Sequence, residues 1–261
     1  MPLTKIVCTL GPATESPEII RALIRAGMTV ARLNFSHGTH EDKRRMAEMV
    51  RRVAKEEEQY VALMGDLQGP KIRVGELPEG GIQLKEDSEV ILTSGEISDP
   101  EHEIPFPHPE IIPDIHRGNR ILLDDGALEL QAIEIKSSQI RCRVRYGGLL
   151  TSHKGVNLPD VELKISALTE KDKRDACDAL TLGLDYLALS FVRKATDIVE
   201  LRDYLDDEVR AEQKRRPGEN PHTRPSIVAK IEKPEALREL ERIIQVSDAV
   251  MVARGDLGVE T

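Results

Sequence analysis

The chain has 261 residues, of which 39% are hydrophobic and 32% are charged, a balance typical of one large or two modest globular domains. A formal net charge of -9 argues against broad binding to nucleic acid or to anionic membranes. The three cysteines lack metal-ligand spacing, and no signal peptide or membrane-length apolar run is present. We therefore expect a cytoplasmic protein whose partners are small molecules.

Short apolar runs rich in β-branched residues alternate with helical patterns along the chain. The predicted strands are residues 6–10, 28–33, 60–64, 186–191, 227–231 and 249–253. Start signals predict helices beginning near Ser16, His40, Thr169 and Lys233. The charged stretch 206–224, which contains proline and glycine, predicts a helix end and a surface loop. This alternation predicts an α/β fold with a parallel sheet covered by helices.

The interval between the third and fourth predicted strands is far longer than the others, which start about 20 to 40 residues apart. Within it, runs such as 127–134 and 139–145 alternate polar and apolar residues, and Asp124-Asp125-Gly126 is a hairpin signal. We predict a small antiparallel β domain at residues 71–158, inserted after the third strand. Residues 1–70 and 159–261 would then form the two parts of the parallel domain.

Polar residues gather where the predicted parallel strands end. Ligands of parallel α/β folds bind at this edge of the sheet, because loops diverge there and helix N-termini point inward. Side chains two residues apart on a strand share a face, so the polar residues at each strand end are predicted to point into one common binding site. The groups are Arg32 with Asn34 and Ser36, Lys230 with Glu232, and Arg254 with Asp256.

These residue types suit phosphoryl transfer with a divalent metal. Glu232 and Asp256 offer hard oxygen ligands for Mg2+ or Mn2+. Lys230, Arg32 and Arg73 are cations suited to phosphate and to charge that develops in a transition state. A purely structural alternative is a set of salt bridges among Arg32, Lys230, Glu232 and Asp256. Neither a Walker A lysine loop nor a glycine-rich kinase loop occurs in the sequence.

The strand ends and their neighbouring segments form a series of distinctive stretches in order along the chain: KIVCTLGPAT (5–14), MTVARLNFSHG (28–38), GDLQGPKIRVG (65–75), LLDDG (122–126), HKGVNLP (153–159), LTEKDKRD (168–175), DYLALSFVR (185–193), IVAKIEKPEA (227–236) and SDAVMVARGDLGVE (247–260). These stretches resemble those of the pyruvate kinase family. The resemblance implies a (β/α)8 TIM-type barrel with a mobile antiparallel β-barrel cap inserted after strand three. It also implies transfer of a phosphoryl group from phosphoenolpyruvate to ADP, giving pyruvate and ATP, in a family that is usually homotetrameric.

The resemblance also implies roles for individual residues. Lys230 would stabilise the transferring phosphoryl group and Arg32 would hold the substrate phosphate. Glu232 and Asp256 would bind the divalent metal, while the backbone N–H groups of Gly255 and Asp256 would receive the substrate carboxylate. The residues expected to contact nucleotide phosphates are Asn34, Phe35, Ser36, His37, Arg73 and Lys154.

The chain departs from the family at a monovalent-cation pocket. Many members hold K+ with residues that match Asn34, Ser36, Asp66 and the carbonyl of Leu67, beside a glutamate. This chain has Lys71 at the glutamate position. An ammonium there would supply the charge of K+ and oppose its binding by like-charge repulsion, so we expect activity that does not require K+. A structural alternative is that Lys71 is simply solvated at the cap hinge.

The second departure is that the sequence contains six barrel strands, whereas the family continues with two more strands and a C-terminal domain. The sequence therefore predicts a barrel truncated after strand six, with little or no turnover by these residues alone. Two alternatives to a working kinase follow: a non-catalytic fragment that binds metal and phosphoenolpyruvate, and a pyruvate or phosphoenolpyruvate barrel lyase, which should lack the cap.

Overall fold

A computed structural model describes residues 4–216 and 222–260. The chain divides into two compact units. Unit 1 comprises Met1–Gly69, Ala167–Ile231 and Glu235–Val252, and unit 2 comprises Pro70–Ser166, Glu232–Pro234 and Ala253–Thr261. Among the described residues, no helix is both long and apolar enough to cross a lipid bilayer.

The strands and helices of the described residues follow one another in chain order. The strands are β1 (Ile6–Leu10), β2 (Met28–Asn34), β3 (Ala62–Asp66), β4 (Ile82–Leu84), β5 (Glu89–Thr93), β6 (Glu103–Pro105), β7 (Arg120–Leu123), β8 (Leu128–Lys136), β9 (Gln139–Tyr146), β10 (Gly148–Leu150), β11 (Val156–Asn157), β12 (Tyr186–Leu189), β13 (Ser226–Ile231) and β14 (Ala249–Val252). The helices are α1 (Pro17–Arg25), α2 (His40–Glu56), α3 (Glu170–Thr181), α4 (Ala195–Arg215), α5 (Pro234–Arg238), α6 (Leu240–Val246) and α7 (Arg254–Glu260), with short 3-10 turns at Pro12–Thr14 and Ile112–Asp114.

Unit 1 is built around a six-stranded sheet with the order β1-β2-β3-β12-β13-β14. Every neighbouring pair is parallel, which confirms the α/β class predicted from the alternation of strands and helices. Apolar side chains from the strands pack against those from the helices, with Ile20, Leu33, Val50, Leu187 and Leu201 among the buried members. Burial of this surface is the main stabilising term for such a layer.

Two aspartates fix neighbouring strands at their amino ends. Asp185, just before β12, accepts the N–H of Leu63 in β3 through its side chain at 2.7 Å and donates its own N–H to the Leu63 carbonyl at 2.9 Å. Asp248, just before β14, makes the same pair of bonds with Ile227 in β13, at 2.7 and 2.9 Å. Since a slip of one residue would break both bonds, each aspartate defines the strand register.

The observed elements correct several sequence predictions. The third strand begins at Ala62 rather than Tyr60, whose side chain is 95% exposed. The helix predicted from Lys233 is two short helices, α5 and α6, separated at Glu239. In the stretch 206–224, helix α4 continues to Arg215, and residues 217–221 of the predicted loop lie outside the described residues.

Unit 2 contains a sheet of order β11-β7-β8-β9-β5-β6 and the pair β10-β4. The pairs are antiparallel except β5 with β6. The predicted hairpin is confirmed: β7 turns into β8 through Asp124 and Asp125, at φ 51° and 54°, and Gly126 at φ 86°. Aspartate and glycine are among the residues that best tolerate this left-handed region. Closure of these strands into a small barrel stays a prediction.

Candidate functional site

A buried carboxylate lies at the carboxyl end of β3 in unit 1. Asp66 is 2% exposed and accepts hydrogen bonds from Arg32 of β2, from Nε at 2.7 Å and from Nη2. The remaining Arg32 nitrogen, Nη1, donates to the hydroxyl of Thr9 in β1 at 2.7 Å. Residues of β1 and β3 therefore hold the guanidinium of Arg32, in β2, in a fixed position. A preorganised anion site needs a cation that is fixed in this way.

Lys230 of β13 reaches the same carboxylate from the other side. Its Nζ lies 3.3 Å from Oδ1 of Asp66 and donates to the hydroxyl of Ser190 at 2.8 Å. Ser190, which follows β12, donates to the carbonyl of Leu67 at 2.7 Å. The structure thus brings the predicted Arg32, Lys230, Asp66 and Leu67 together.

The salt-bridge alternative predicted from the sequence is partly correct, because Arg32 and Lys230 both pair with a carboxylate of the protein. Both cations pair with Asp66, which the salt-bridge hypothesis did not include. One carboxylate facing two cations leaves these three side chains with a net positive charge. Cations that are fixed at the carboxyl edge of a parallel sheet suit an anionic ligand.

The last residue of β2, Asn34, and the turn that follows it carry four of the predicted nucleotide contacts. The prediction that Ser36 shares a strand face with Arg32 is wrong, because β2 ends at Asn34 and the chain turns. The Asn34 side chain accepts the N–H of Ser36 at 2.9 Å, an Asx-type turn. Phe35 is buried, and its N–H donates to the carbonyl of Asp66 at 3.0 Å. His37 is exposed.

A cleft of about 610 Å3 opens beside this segment in unit 1. Asn34 and His37 line it, together with Lys43, which donates from Nζ to the carbonyl of His37 at 2.6 Å. Burial lowers the pKa of Lys43, and the neighbouring Asp42 opposes that shift. A cleft of this size with convergent polar groups is typical of a small-molecule site.

The other two predicted phosphate contacts, Arg73 and Lys154, belong to unit 2. Arg73 donates from Nη1 to the carbonyl of His153 at 2.6 Å and forms an isolated antiparallel bridge with Gly155. Lys154, between those partners, forms an ion pair with Asp124 at 2.8 Å. The structure therefore brings Arg73 and Lys154 together within unit 2.

The predicted metal ligands differ in exposure. Glu232 is 3% exposed and follows β13, whereas Asp256 is exposed in the first turn of α7. The prediction that Arg254 and Asp256 share a strand face is wrong, because β14 ends at Val252 and helical residues two apart point in different directions. Within residues 4–216 and 222–260, no group of three or more His, Cys, Asp or Glu could hold a metal ion. The predicted site has only two such residues and relies on substrate and water oxygens for the others.

The remaining predicted residues of the site are Lys71 and Gly255. Lys71 is partly buried and follows Gly69 and Pro70, the point at which the chain passes from unit 1 to unit 2. Gly255 lies in the first turn of α7, and a Cβ added there would meet no atom within 4 Å. A ligand could therefore approach the backbone at Gly255 from the side on which a Cβ would stand.

A family model described as the pyruvate kinase barrel domain matches residues 1–261, the whole chain. The chain belongs to the pyruvate kinase family. It is 41% identical to a pyruvate kinase from Staphylococcus aureus (strain MRSA252) over 259 residues and 42% identical to one from Agrobacterium vitis, each match covering 98% of this chain. The crystal structure of a pyruvate kinase from Cryptosporidium parvum matches 99% of the chain with a TM-score of 0.90 and 34% identity.

The chain spans about half the length of the pyruvate kinases that it matches. It covers 42% of the Staphylococcus protein, 51% of the Agrobacterium protein and 52% of the Cryptosporidium chain. Pyruvate kinases are phosphotransferases, which agrees with the enzyme class expected from the charged strand ends.

Thr9 and Ser190 were missed as members of the site. Both are polar residues at or just after the ends of apolar strands, the same signal that identified Arg32 and Lys230. Their hydroxyls contact those two cations at 2.7 and 2.8 Å. A search for uncharged polar residues at the strand ends would have found both.

Proposed function

We propose that the protein containing this chain transfers a phosphoryl group from phosphoenolpyruvate to ADP, giving pyruvate and ATP. The observation that carries the proposal is the convergence of Arg32 and Lys230 on the buried Asp66 at one edge of a parallel sheet. Membership of the pyruvate kinase family favours phosphoryl transfer over the barrel lyase.

Arg32 and Lys230 have separate tasks in the proposed reaction. The planar guanidinium of Arg32, held by Asp66 and Thr9, binds the phosphate of phosphoenolpyruvate. The Lys230 ammonium, held by Ser190, stabilises the negative charge of the phosphoryl group during its transfer. Because both cations are fixed before substrate arrives, little reorganisation is needed during transfer.

Glu232 and Asp256 are the residues that would hold Mg2+ or Mn2+, since carboxylate oxygens are hard ligands. The metal would neutralise negative charge on the transferring phosphoryl group. Gly255 and Asp256 also lie in the first turn of α7, where N–H groups have no intrahelical acceptor and can receive the substrate carboxylate. The ADP phosphates would be bound by residues 34–37 of unit 1, of which Asn34 and His37 line the cleft.

Calorimetric titration of the chain with phosphoenolpyruvate in the presence of Mg2+ tests the proposal. The variant Arg32→Met should weaken binding by about 30-fold, because it removes a charge-assisted pair of hydrogen bonds to phosphate. Arg210→Met is the matched control, since Arg210 is 68% exposed and pairs with Asp207 on the surface. Equal affinity in both variants would contradict the proposed phosphate site.

A coupled assay for pyruvate formation separates the kinase from the binding-only alternative. We expect phosphoenolpyruvate to bind to this chain, with little or no turnover by these residues alone. Turnover by a longer protein that contains them would support the kinase, whereas binding without turnover in that longer protein would favour the non-catalytic alternative.

A further inference from the structure

The motif LTEKDKRD (168–175) matches the family, yet none of its residues belongs to the predicted site. It forms the start of α3 in unit 1. Thr169 caps the helix by accepting the N–H of Asp172 at 3.1 Å, and Oδ2 of Asp172 accepts the N–H of Thr169 at 2.9 Å. This reciprocal capping box fixes the direction of the first helical turn.

Asp172 connects that turn to the segment after β3. Its second oxygen, Oδ1, accepts the N–H of Gly69 at 3.0 Å, and the aspartate is completely buried. Gly69 lies three residues beyond Asp66, so the bond holds the backbone immediately after the candidate carboxylate. Breaking it would leave a buried carboxylate oxygen without this N–H donor, which is costly.

Lys171 connects the same turn to the segment after β2. Its Nζ donates to the carbonyl of Phe35 at 2.7 Å and to Oδ2 of Asp175 at 2.5 Å. Asp175 is 2% exposed and is also bonded at 2.8 Å to Nε2 of His40, the first residue of α2. The ring of His40 lies edge-on to that of Phe35, with centroids 6.4 Å apart. A buried carboxylate with two partners orients the Lys171 ammonium toward the carbonyl.

The two connected segments carry the oxygens predicted to bind a monovalent cation and part of the nucleotide. One segment contains Asn34 and Ser36, and the other contains Asp66 and Leu67. Asn34 and Asp66 are partners in the parallel pairing of β2 with β3, and the N–H of Phe35, just past β2, donates to the carbonyl of Asp66 at 3.0 Å. The strand pairing ends at these two residues, so the backbone beyond it, at Phe35 and Gly69, is held by the two anchors from the first turn of α3.

We propose that Lys171 and Asp172, supported by Asp175 and His40, form a clamp that sets the spacing of these two segments. In this role Lys171 is a positioning residue for nucleotide binding. The nucleotide part rests on the proposed function, whereas the clamp itself rests on contacts within unit 1.

Hydrogen–deuterium exchange of the ligand-free chain tests the clamp. Lys171→Met should accelerate amide exchange about tenfold in residues 34–40, because one charge-assisted anchor is lost. Lys173→Met is the matched control, since Lys173 lies on the same helix and its ammonium pairs with Glu170. Lys171→Arg, which keeps the charge and the donors, should restore most of the protection.

Unchanged exchange in residues 34–40 of Lys171→Met would overturn the clamp. So would equal acceleration throughout the strands of unit 1, since that result indicates general destabilisation. If Lys171→Met does not fold, Asp175→Asn takes its place, because it keeps the side-chain size while removing the charge that orients Lys171. The same acceleration limited to residues 34–40 is expected, and its absence overturns the clamp.

Calorimetric titration with ADP tests the positioning role. Lys171→Met should bind ADP about tenfold more weakly than the unaltered chain, with Lys173→Met unchanged and Lys171→Arg close to normal. If the unaltered chain does not bind ADP, the proposed function fails for this chain and the exchange result still decides the clamp. If Lys171→Met loosens the segment yet binds ADP normally, the positioning role is overturned.

Discussion

The guanidinium of Arg32, in β2, donates from two nitrogens to a single carboxylate oxygen of Asp66, the last residue of the neighbouring strand β3. The other oxygen of Asp66 lies 3.3 Å from Nζ of Lys230. A carboxylate that is 2% exposed therefore holds two cations in place at the edge of the sheet. The stability of unit 1 and the organisation of the candidate site depend on the same side chain.

Replacing Asp66 with asparagine should be strongly destabilising. The substitution keeps the shape but deprives Arg32 and Lys230 of their shared negative charge, and breaking a buried ion pair from one side costs about 3 kcal/mol. Urea denaturation measures the loss. Asp207→Asn, at a side chain 72% exposed, is the control and should change the free energy of unfolding by less than about 1 kcal/mol. Similar losses in the two variants would contradict the assigned role of Asp66.

Lys71 should make ligand binding insensitive to K+. We expect the affinity for ADP to stay constant when K+ replaces a bulky organic cation at fixed ionic strength, because an ammonium already supplies the charge. Lys71→Glu should introduce a K+ dependence, while Lys71→Gln separates the loss of charge from its reversal. A strong K+ dependence of the unaltered chain would refute the prediction.

Replacing Gly69 with alanine should disturb the segment that Asp172 holds. Gly69 has φ 66°, and a Cβ there would lie 2.6 Å from Cδ2 of Phe191, so backbone strain and a steric clash act together. We expect a loss of about 3 kcal/mol in chemical denaturation. Gly80→Ala is the control, because Gly80 has φ 88° but open space around it, and only the backbone cost of about 1 kcal/mol applies. Equal losses would rule out the clash.

Asp178 should make the stability of unit 1 depend on pH. Burial raises the pKa of its carboxyl, while the charges of His40 and Arg44 oppose the shift. Within the described residues, Oδ2 of Asp178 is buried and has no hydrogen-bond partner. Because the folded-state pKa exceeds the unfolded one, its favourable contribution is complete below the unfolded pKa and is lost as pH rises through the folded pKa.

Asp178→Asn should therefore raise the melting temperature near neutral pH, and the gain should shrink as the solution is acidified. Thermal melts across that pH range provide the measurement. Asp203→Asn, at an exposed position of α4, serves as the reference and should leave the melting temperature nearly constant. A gain in Asp178→Asn that is independent of pH would show that a neutral packing effect, and not ionisation, is responsible.

The parallel sheet could be predicted because its strands, of 4 to 7 residues, are mostly apolar and rich in β-branched residues. Helix α7 was missed because it has only seven residues and contains Gly255 and Gly258, so its local helical signal is weak. The split between α5 and α6 at Glu239 was also missed, since no proline or glycine marks it. Short helices depend on tertiary packing that a single sequence does not display.

The charged members of the site were predictable from their positions at strand ends, but their partners were not. Whether Arg32 pairs with Asp66 or with another carboxylate depends on side-chain reach across neighbouring strands. The role of Lys171 was hidden for a different reason, because its acceptor is the backbone carbonyl of Phe35. Every residue has such a carbonyl, so its sequence neighbours give no sign of the contact.

Asp185 and Asp248 secure the sheet at the end opposite to Arg32, Asp66 and Lys230. Alignment of adjacent strands is therefore maintained by bonds that no proposed ligand touches. Substitutions at the other end that leave Asp66 paired can therefore change what is bound while the strand register is kept. Because the two functions are separated, the ligand or reaction at the charged end can change while the fold stays the same.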